Sequence, residues 1–225
     1  RLLHDIVGTR HLYYLPHTVE NSEDTLLIRA DKTPNSTGVA NIGFSSLDNP
    51  GIVDEFLARV ADKSIKLLYI LEDDIAVSPL FEKIIANIEV LIVHSTVFTA
   101  TTKHADIVVA ASTFAEKHGT MTNFEGIVQR LRPAVTTTES DRAMDGFEMS
   151  RWDKFAAPND RWGKGRRIDA RPSWKSLMMI ANGLGGKLKY TEAQDVFREL
   201  AATNPVFKGL TYSRIGSQGV KLVKR

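Results

Sequence analysis

The chain predicts an α/β fold built on an open parallel sheet, and three observations carry that expectation. Short apolar runs bounded by charge recur at Ile65–Leu71, Val90–Val93 and Ile107–Ala111, as strands buried in a parallel sheet do. Between and before them the apolar residues recur at helical spacing, in Pro50–Val60 and Pro79–Ile88. Of 225 residues, 43% are apolar, enough material for a sizeable core. Strand and helix alternating at this pitch give a Rossmann-like open parallel sheet with helices on both faces. An irregular insertion and two C-terminal helices complete the prediction. The loops at the C-terminal ends of the strands are then the place for function.

Taken in order, Leu12–Leu15 and Leu26–Ile28 are short apolar runs with strand character, separated by a charged turn at Glu20–Asp24. Pro34–Gly43, dense in asparagine and glycine, predicts a loop with positive-φ positions. Ile52, Val53, Phe56, Leu57 and Val60 form one helical face, with Pro50 in the first turn. After the strand at Ile65–Leu71 come the helix at Pro79–Ile88, the strand at Val90–Val93, a short helix near Thr101–His104 and the strand at Ile107–Ala111. A polar turn over Glu116–Glu125 follows, then a second apolar run ending near Gln129 and Arg130. Thr136–Pro172 loses periodicity. Trp174, Leu177, Met178, Ala181 and Leu184 mark a helix ended by Gly185 and Gly186. Thr191 is placed to cap a last helix while Gln194 reaches back, with Val196, Phe197 and Leu200 as its buried face. Three regions result: a core over 1–135, an irregular basic and aromatic excursion over 136–172, and C-terminal helices and tail over 173–225.

Composition closes several routes. There is no cysteine, so disulfides, thiolate nucleophiles and cysteine-held iron–sulfur clusters are excluded from this sequence. The net charge of +2 is too mild for a nucleic-acid footprint. No apolar run approaches the roughly 18 residues of a membrane span, so no direct membrane insertion is expected. No Walker loop, nucleophile triad or histidine-rich metal motif is present. The chain opens on Arg1 without methionine, which points to a fragment or a processed product.

Ala105–Gln129, reading ADIVVAASTFAEKHGTMTNFEGIVQ, resembles a signature of the molybdopterin oxidoreductase superfamily, in which a strand leads into a phrase like "FAEKDGTFTNTEGRVQ". Two weaker matches stand in the expected order: Pro34–Gly43, and the tail phrase Phe207-Lys208-Gly209-Leu210-Thr211-Tyr212. The resemblance covers roughly Asn35 to Tyr212. Within that superfamily the large iron–sulfur subunit of NADH–quinone oxidoreductase (complex I) is the branch expected here. It implies a cofactor-free scaffold on a cytoplasmic peripheral arm at the inner membrane. Iron–sulfur clusters and FMN would then lie elsewhere in the complex, and the partners would be the other subunits of that respiratory oxidoreductase. The alternative the resemblance implies is part of a formate dehydrogenase-like enzyme that binds molybdopterin guanine dinucleotide. Its cofactor-binding residues would be Asp73, Asp74, Thr99, Glu116, Gly119, Thr120 and Asn123.

The strand ends separate these branches. Where the family has a "G-E-N-P" loop, this chain has Leu71-Glu72-Asp73-Asp74. The glycine that lets backbone approach a nucleotide is missing, and three carboxylates oppose a diphosphate unless a metal intervenes. A solvated acidic turn and a magnesium or calcium site are both readings of that triplet. After the second strand, Phe98 and Thr99 fit the family phrase, while Ser95 and Ala100 replace its acidic residues. His94 is either a general base or structural. Gly119-Thr120 and Thr122-Asn123 either ring an anion or bond one another to brace the sheet. Glu116 and Glu125 have no nucleophile between them, so no catalytic residue is expected. Arg151, Trp152, Lys154, Phe155, Arg161, Trp162, Lys164, Arg166, Arg167 and Arg171 read as a protein-docking surface, with folding onto the domain and nucleic-acid contact as the other readings.

Overall fold

The computed structural model describes residues 2–135 and 171–222. The α/β class is as the sequence predicts. At its centre is a three-stranded parallel sheet of β3 (Leu67–Leu71), β4 (Val90–Ser95) and β5 (Ile107–Ala110), in chain order. Before it stand β1 (Tyr13–Tyr14) and β2 (Ser45–Ser46), paired parallel, with α1 (Ser36–Asn41) between them and α2 (Pro50–Ala61) after. α3 (Phe81–Ile85) connects β3 to β4. Downstream lie β6 (Gly119–Thr122), β7 (Ile127–Leu131), α4 (Ser173–Gly183), α5 (Ala193–Thr203), α6 (Tyr212–Ile215) and β8 (Val220–Lys221).

α2 forms where the spacing places it: Asn49 accepts from the Gly51 N–H and Pro50 occupies the first turn, where its missing donor is harmless. Its buried face, Phe56 and Val60, packs with Ile65 and Ile84. Successive side chains of a strand point to opposite faces, so Leu68 and Ile70 share one face of β3. Ile70, Leu91 and Val93 form the layer behind α3, with Leu68 joining both clusters. The parallel register sets Leu71 beside His94, and His94 beside Val109.

A second, antiparallel sheet of order β6-β7-β8 closes the C-terminal part. Val128, fully buried, packs with Phe197, Phe207, Leu210, Tyr212 and Ile215. The signature tail therefore earns its place as core: Phe207, Leu210 and Tyr212 are all buried, and Thr211 caps α6 by accepting from the Arg214 N–H.

Several expectations need correction. Pro34–Gly43 is not a loop but contains α1; Gly38 is helical and buried, and only Gly43 takes a positive φ, +97°. Leu26–Ile28 is not a strand: one carboxylate oxygen of Asp24 accepts from the backbone N–H of Leu26, Leu27 and Ile28, wrapping the run into a turn. The helix at Pro79–Ile88 shrinks to α3, five residues. The Glu116–Glu125 turn is largely a hairpin, in which Gly119 and Thr120 pair with Leu131 and Arg130. At α5 the cap is Glu192 with Asp195, not Thr191 with Gln194. The Asp195 carboxylate accepts from the Thr191 hydroxyl and from the N–H of both Thr191 and Glu192. The shorter, charged side chain wins the N3 position because an anion is favoured in a helix's first turn. Most of the excursion over 136–172, and with it the basic–aromatic segment, lies outside the described residues.

Candidate functional site

Two places gather the residues that the sequence singled out. The first is the edge where the parallel strands end. Asp74 accepts from the Thr101 N–H at 3.0 Å and from the Thr101 hydroxyl at 2.5 Å, while Thr101 Oγ1 in turn accepts from the Ala76 N–H. Burial opposes the charge on Asp74, but the Thr101 hydroxyl and backbone donors prevail and hold its carboxyl below the usual range. Asp73 faces another way, 2.7 Å from His17 Nε2. Thr99 exchanges hydrogen bonds with Thr102 on the next turn. The structure thus brings the loops of Asp74 and Thr99 together through Thr101, and commits each side chain to a partner within the chain.

Glu72 is a residue that sequence reasoning saw only as one member of an acidic triplet. Its backbone has φ +54°, in the left-handed region that non-glycine residues rarely adopt. Its N–H donates to the His94 carbonyl at 2.7 Å. Lys117 Nζ reaches both carboxylate oxygens, at 2.5 and 2.6 Å, and the Ser173 hydroxyl donates to one of them. Glu72 therefore ties β3 to the loop before β6 and to the first residue of α4. Beside this clamp His94 is fully buried. Its Nδ1 shares a hydrogen bond with the Tyr69 hydroxyl at 2.9 Å. Burial pushes the His94 pKa down and prevails over Glu72 and the Ala110 backbone, which pull it up, while Lys117 pushes it down further. Burial also pushes the Tyr69 phenol up to about 12, so it stays protonated.

Glu116 caps its own turn, accepting from the Thr113 N–H at 2.8 Å, and takes no part in the Glu72 clamp. Among the described residues no three His, Asp or Glu side chains converge as metal ligands. The divergence of Asp73 and Asp74 toward His17 and Thr101 is the physical reason at the acidic triplet.

The second place was only half legible. Two segments that separately resemble the signature, Pro34–Gly43 and Thr122–Gly126, meet across the molecule. The Thr122 N–H donates to Asn35 Oδ1 at 2.7 Å. A Cβ on Gly38 would lie 2.2 Å from that same oxygen, so only glycine lets α1 come this close. At the junction opens a groove of about 530 Å³, lined by Arg29, Lys32, Thr33, Ser36, Thr37, Asn123 and Phe124 among others. The Arg29 guanidinium lies 4.3 Å above the Phe124 ring and pairs with Glu23 at 2.6 Å. Asn123 accepts from the Glu125 and Ile127 N–H groups, shaping the hairpin turn that forms one wall. Of the expected site residues only Asn123 reaches this groove; Gly119 and Thr120 belong to the strand behind it. Arg29 and Thr33 carried no signal in the sequence, and Ser36 and Thr37 were read only as part of a loop, because their neighbours in space are some 90 positions away.

Residues 44–143 match the molybdopterin oxidoreductase family. The chain is 29% identical over 182 residues to the F420-dependent formate dehydrogenase subunit alpha of Methanocaldococcus jannaschii, covering 78% of this chain and 22% of that protein. It is likewise 29% identical over 177 residues to the F420-dependent formate dehydrogenase 2 subunit alpha of Methanococcus maripaludis, covering 76% of this chain and 22% of that one. The fold, the signature segments and these matches support the molybdopterin oxidoreductase family for this chain. The relatives named here are formate dehydrogenase subunits, so the narrower expectation of the complex I branch gains nothing from them. The chain spans about a fifth of the length of these relatives. Among the described residues no helix is long and apolar enough to cross a membrane.

The two places differ in how they suit the family's dinucleotide cofactor. The groove offers Arg29 and Lys32, hydroxyl groups and an aromatic face, beside the carboxylates of Glu23 and Asp31; a phosphate-bearing nucleotide fits there only by drawing Arg29 away from Glu23. The β3 end does not fit: Leu71 stands where close backbone approach to a phosphate needs a glycine, and the carboxylates of Glu72, Asp73 and Asp74 follow it.

Proposed function

We propose that this chain is part of a molybdopterin-dependent oxidoreductase of the formate dehydrogenase kind, and that its groove receives the guanosine end of a molybdopterin guanine dinucleotide. The observation that carries the reading is the meeting of the two signature segments through Asn35 and Thr122. Arg29 and Lys32 would neutralise phosphate, Phe124 would give a stacking face, and Asn123 would hold the turn in place. When bound, that cofactor supplies the metal centre for two-electron transfer; the residues described here only hold and orient its nucleotide. The partners under this reading are the remaining parts of the same enzyme.

A second reading is favoured by Glu72. A strand end closed by the chain's own carboxylate suits a cofactor-free scaffold, as in the complex I branch. Calorimetric titration with GDP separates the two. Saturable binding in the micromolar range, weakened at least tenfold by Arg29→Ala, supports the nucleotide reading. No binding up to millimolar GDP supports the scaffold.

A further inference from the structure

We propose that Arg130, Arg132 and the Tyr212 hydroxyl form a binding site for a phosphate-sized oxyanion, at the end of the β6–β7 hairpin away from its turn. The site is separate from the groove beside Asn35 and Thr122 and does not depend on the reading given to that groove.

The hairpin gathers the charge. Its antiparallel register pairs Thr120 with Arg130 and Gly119 with Leu131. Alternate residues of a strand share a face, so Arg130 stands on the face of the fully buried Val128, toward the C-terminal core. Arg132 follows two positions on, and His118 lies just before β6 at the same end. The Arg130 guanidinium sits 4.5 Å from the centre of the Tyr212 ring. Burial lowers the Arg130 pKa first, and Arg132 lowers it further. After burial, both arginines also push the His118 pKa down.

The chain does not offset that charge. Arg130 Nε is shut off from solvent without a hydrogen bond, and among the described residues no carboxylate pairs with Arg130 or Arg132. The Tyr212 side chain is only 7% exposed, and its hydroxyl also lacks a partner. Burial pushes that phenol up to about 12, so it keeps its proton and can donate. Glu192 acts on both His118 and Tyr212, but its carboxylate accepts from the Asp195 N–H at the start of α5. Donors withdrawn from water without an acceptor are costly. Here two of them lie on touching side chains next to a second guanidinium. An oxyanion supplies what they lack, acceptor oxygens and a negative charge together. A water molecule would supply only the first.

The experiment is calorimetric titration of the 225-residue chain with inorganic phosphate, against chloride at equal ionic strength. Wild type, Arg29→Ala, Arg130→Gln, Arg132→Gln and Tyr212→Phe are compared, each checked by circular dichroism. Arg132 is exposed and without a partner among the described residues, so Arg132→Gln leaves the fold intact even if Arg130→Gln does not. The expected result is saturable phosphate binding to wild type and to Arg29→Ala. Arg130→Gln and Arg132→Gln should each weaken it at least about tenfold, and Tyr212→Phe, which keeps the ring under Arg130, should weaken it less. Absence of saturable phosphate binding overturns the proposal, as does an equal response to chloride or unchanged binding in Arg132→Gln. Phosphate binding lost in Arg29→Ala and kept in Arg132→Gln would place the anion in the groove, so the two readings fail separately.

Discussion

Asn35 and Thr122, 87 positions apart, are joined by a 2.7 Å hydrogen bond from the Thr122 N–H to the Asn35 side-chain oxygen. Thr122 is buried, so this donor has no water to fall back on. One bond thereby sets the distance between α1 and the hairpin, and with it the width of the groove.

Removing that acceptor should destabilise the chain as well as loosen the site. Asn35→Ala leaves a buried N–H unsatisfied, an effect of about 1–3 kcal/mol. Gly38→Ala acts on the same oxygen from the other side, since its methyl group would overlap Asn35 Oδ1 and must push it off Thr122. Urea denaturation should show both variants less stable than wild type. Because they break one contact, the double variant should be less destabilised than the sum of the singles. Full additivity would mean that the two residues act separately.

The C-terminal cluster rests on Phe197. Its ring meets Phe207 edge-on at 6.3 Å and Tyr212 at 5.6 Å, and the side chain is buried. Phe197→Ala removes apolar area and leaves a cavity lined by two aromatic rings, which should cost about 3–5 kcal/mol. Phe197→Leu keeps most of the volume and should cost clearly less. A loss below about 1 kcal/mol for the alanine variant, read from the urea midpoint, would show the cluster to be loosely packed.

His94 should make stability fall in acid. Burial depresses its pKa in the folded chain, so below about 6.5, its ordinary value, the unfolded chain binds a proton that the folded chain resists. Stability is then fully present above that value and declines as pH falls toward the depressed folded value. His118, also depressed by burial and by Arg130, acts in the same sense. Urea midpoints measured from pH 8 to pH 5 should fall for wild type and fall less for His94→Gln. Parallel curves would show that His94 is not the group responsible.

How much of this was legible depended on the range of the interactions. The three parallel strands and α2 could be read because their causes are local: an apolar run of strand length, or a 3.6-residue repeat closed by Asn49 and Pro50, is written in consecutive residues. The signature segments were legible as strings, and the family they resemble survives comparison with known proteins. The seven residues expected at a cofactor site fared differently. Asp73, Asp74, Thr99 and Glu116 are the residue types that bind ligands, but the same short polar side chains also bind their own backbone. Composition cannot tell which partner wins.

Sequence alone determined the α/β class, the central strands and the absence of cysteine chemistry, because each follows from residue type and near-neighbour spacing. Only the tertiary structure decided that Pro34–Gly43 becomes a helix, since the contact that excludes a Cβ at Gly38 comes from Asn35 locked to Thr122. Only the tertiary structure showed that Glu72 is more than one carboxylate of a solvated acidic turn. Its partners Lys117 and Ser173 stand 45 and 101 positions away, and no local pattern records which distant cation or hydroxyl a carboxylate will meet once the chain has closed around it.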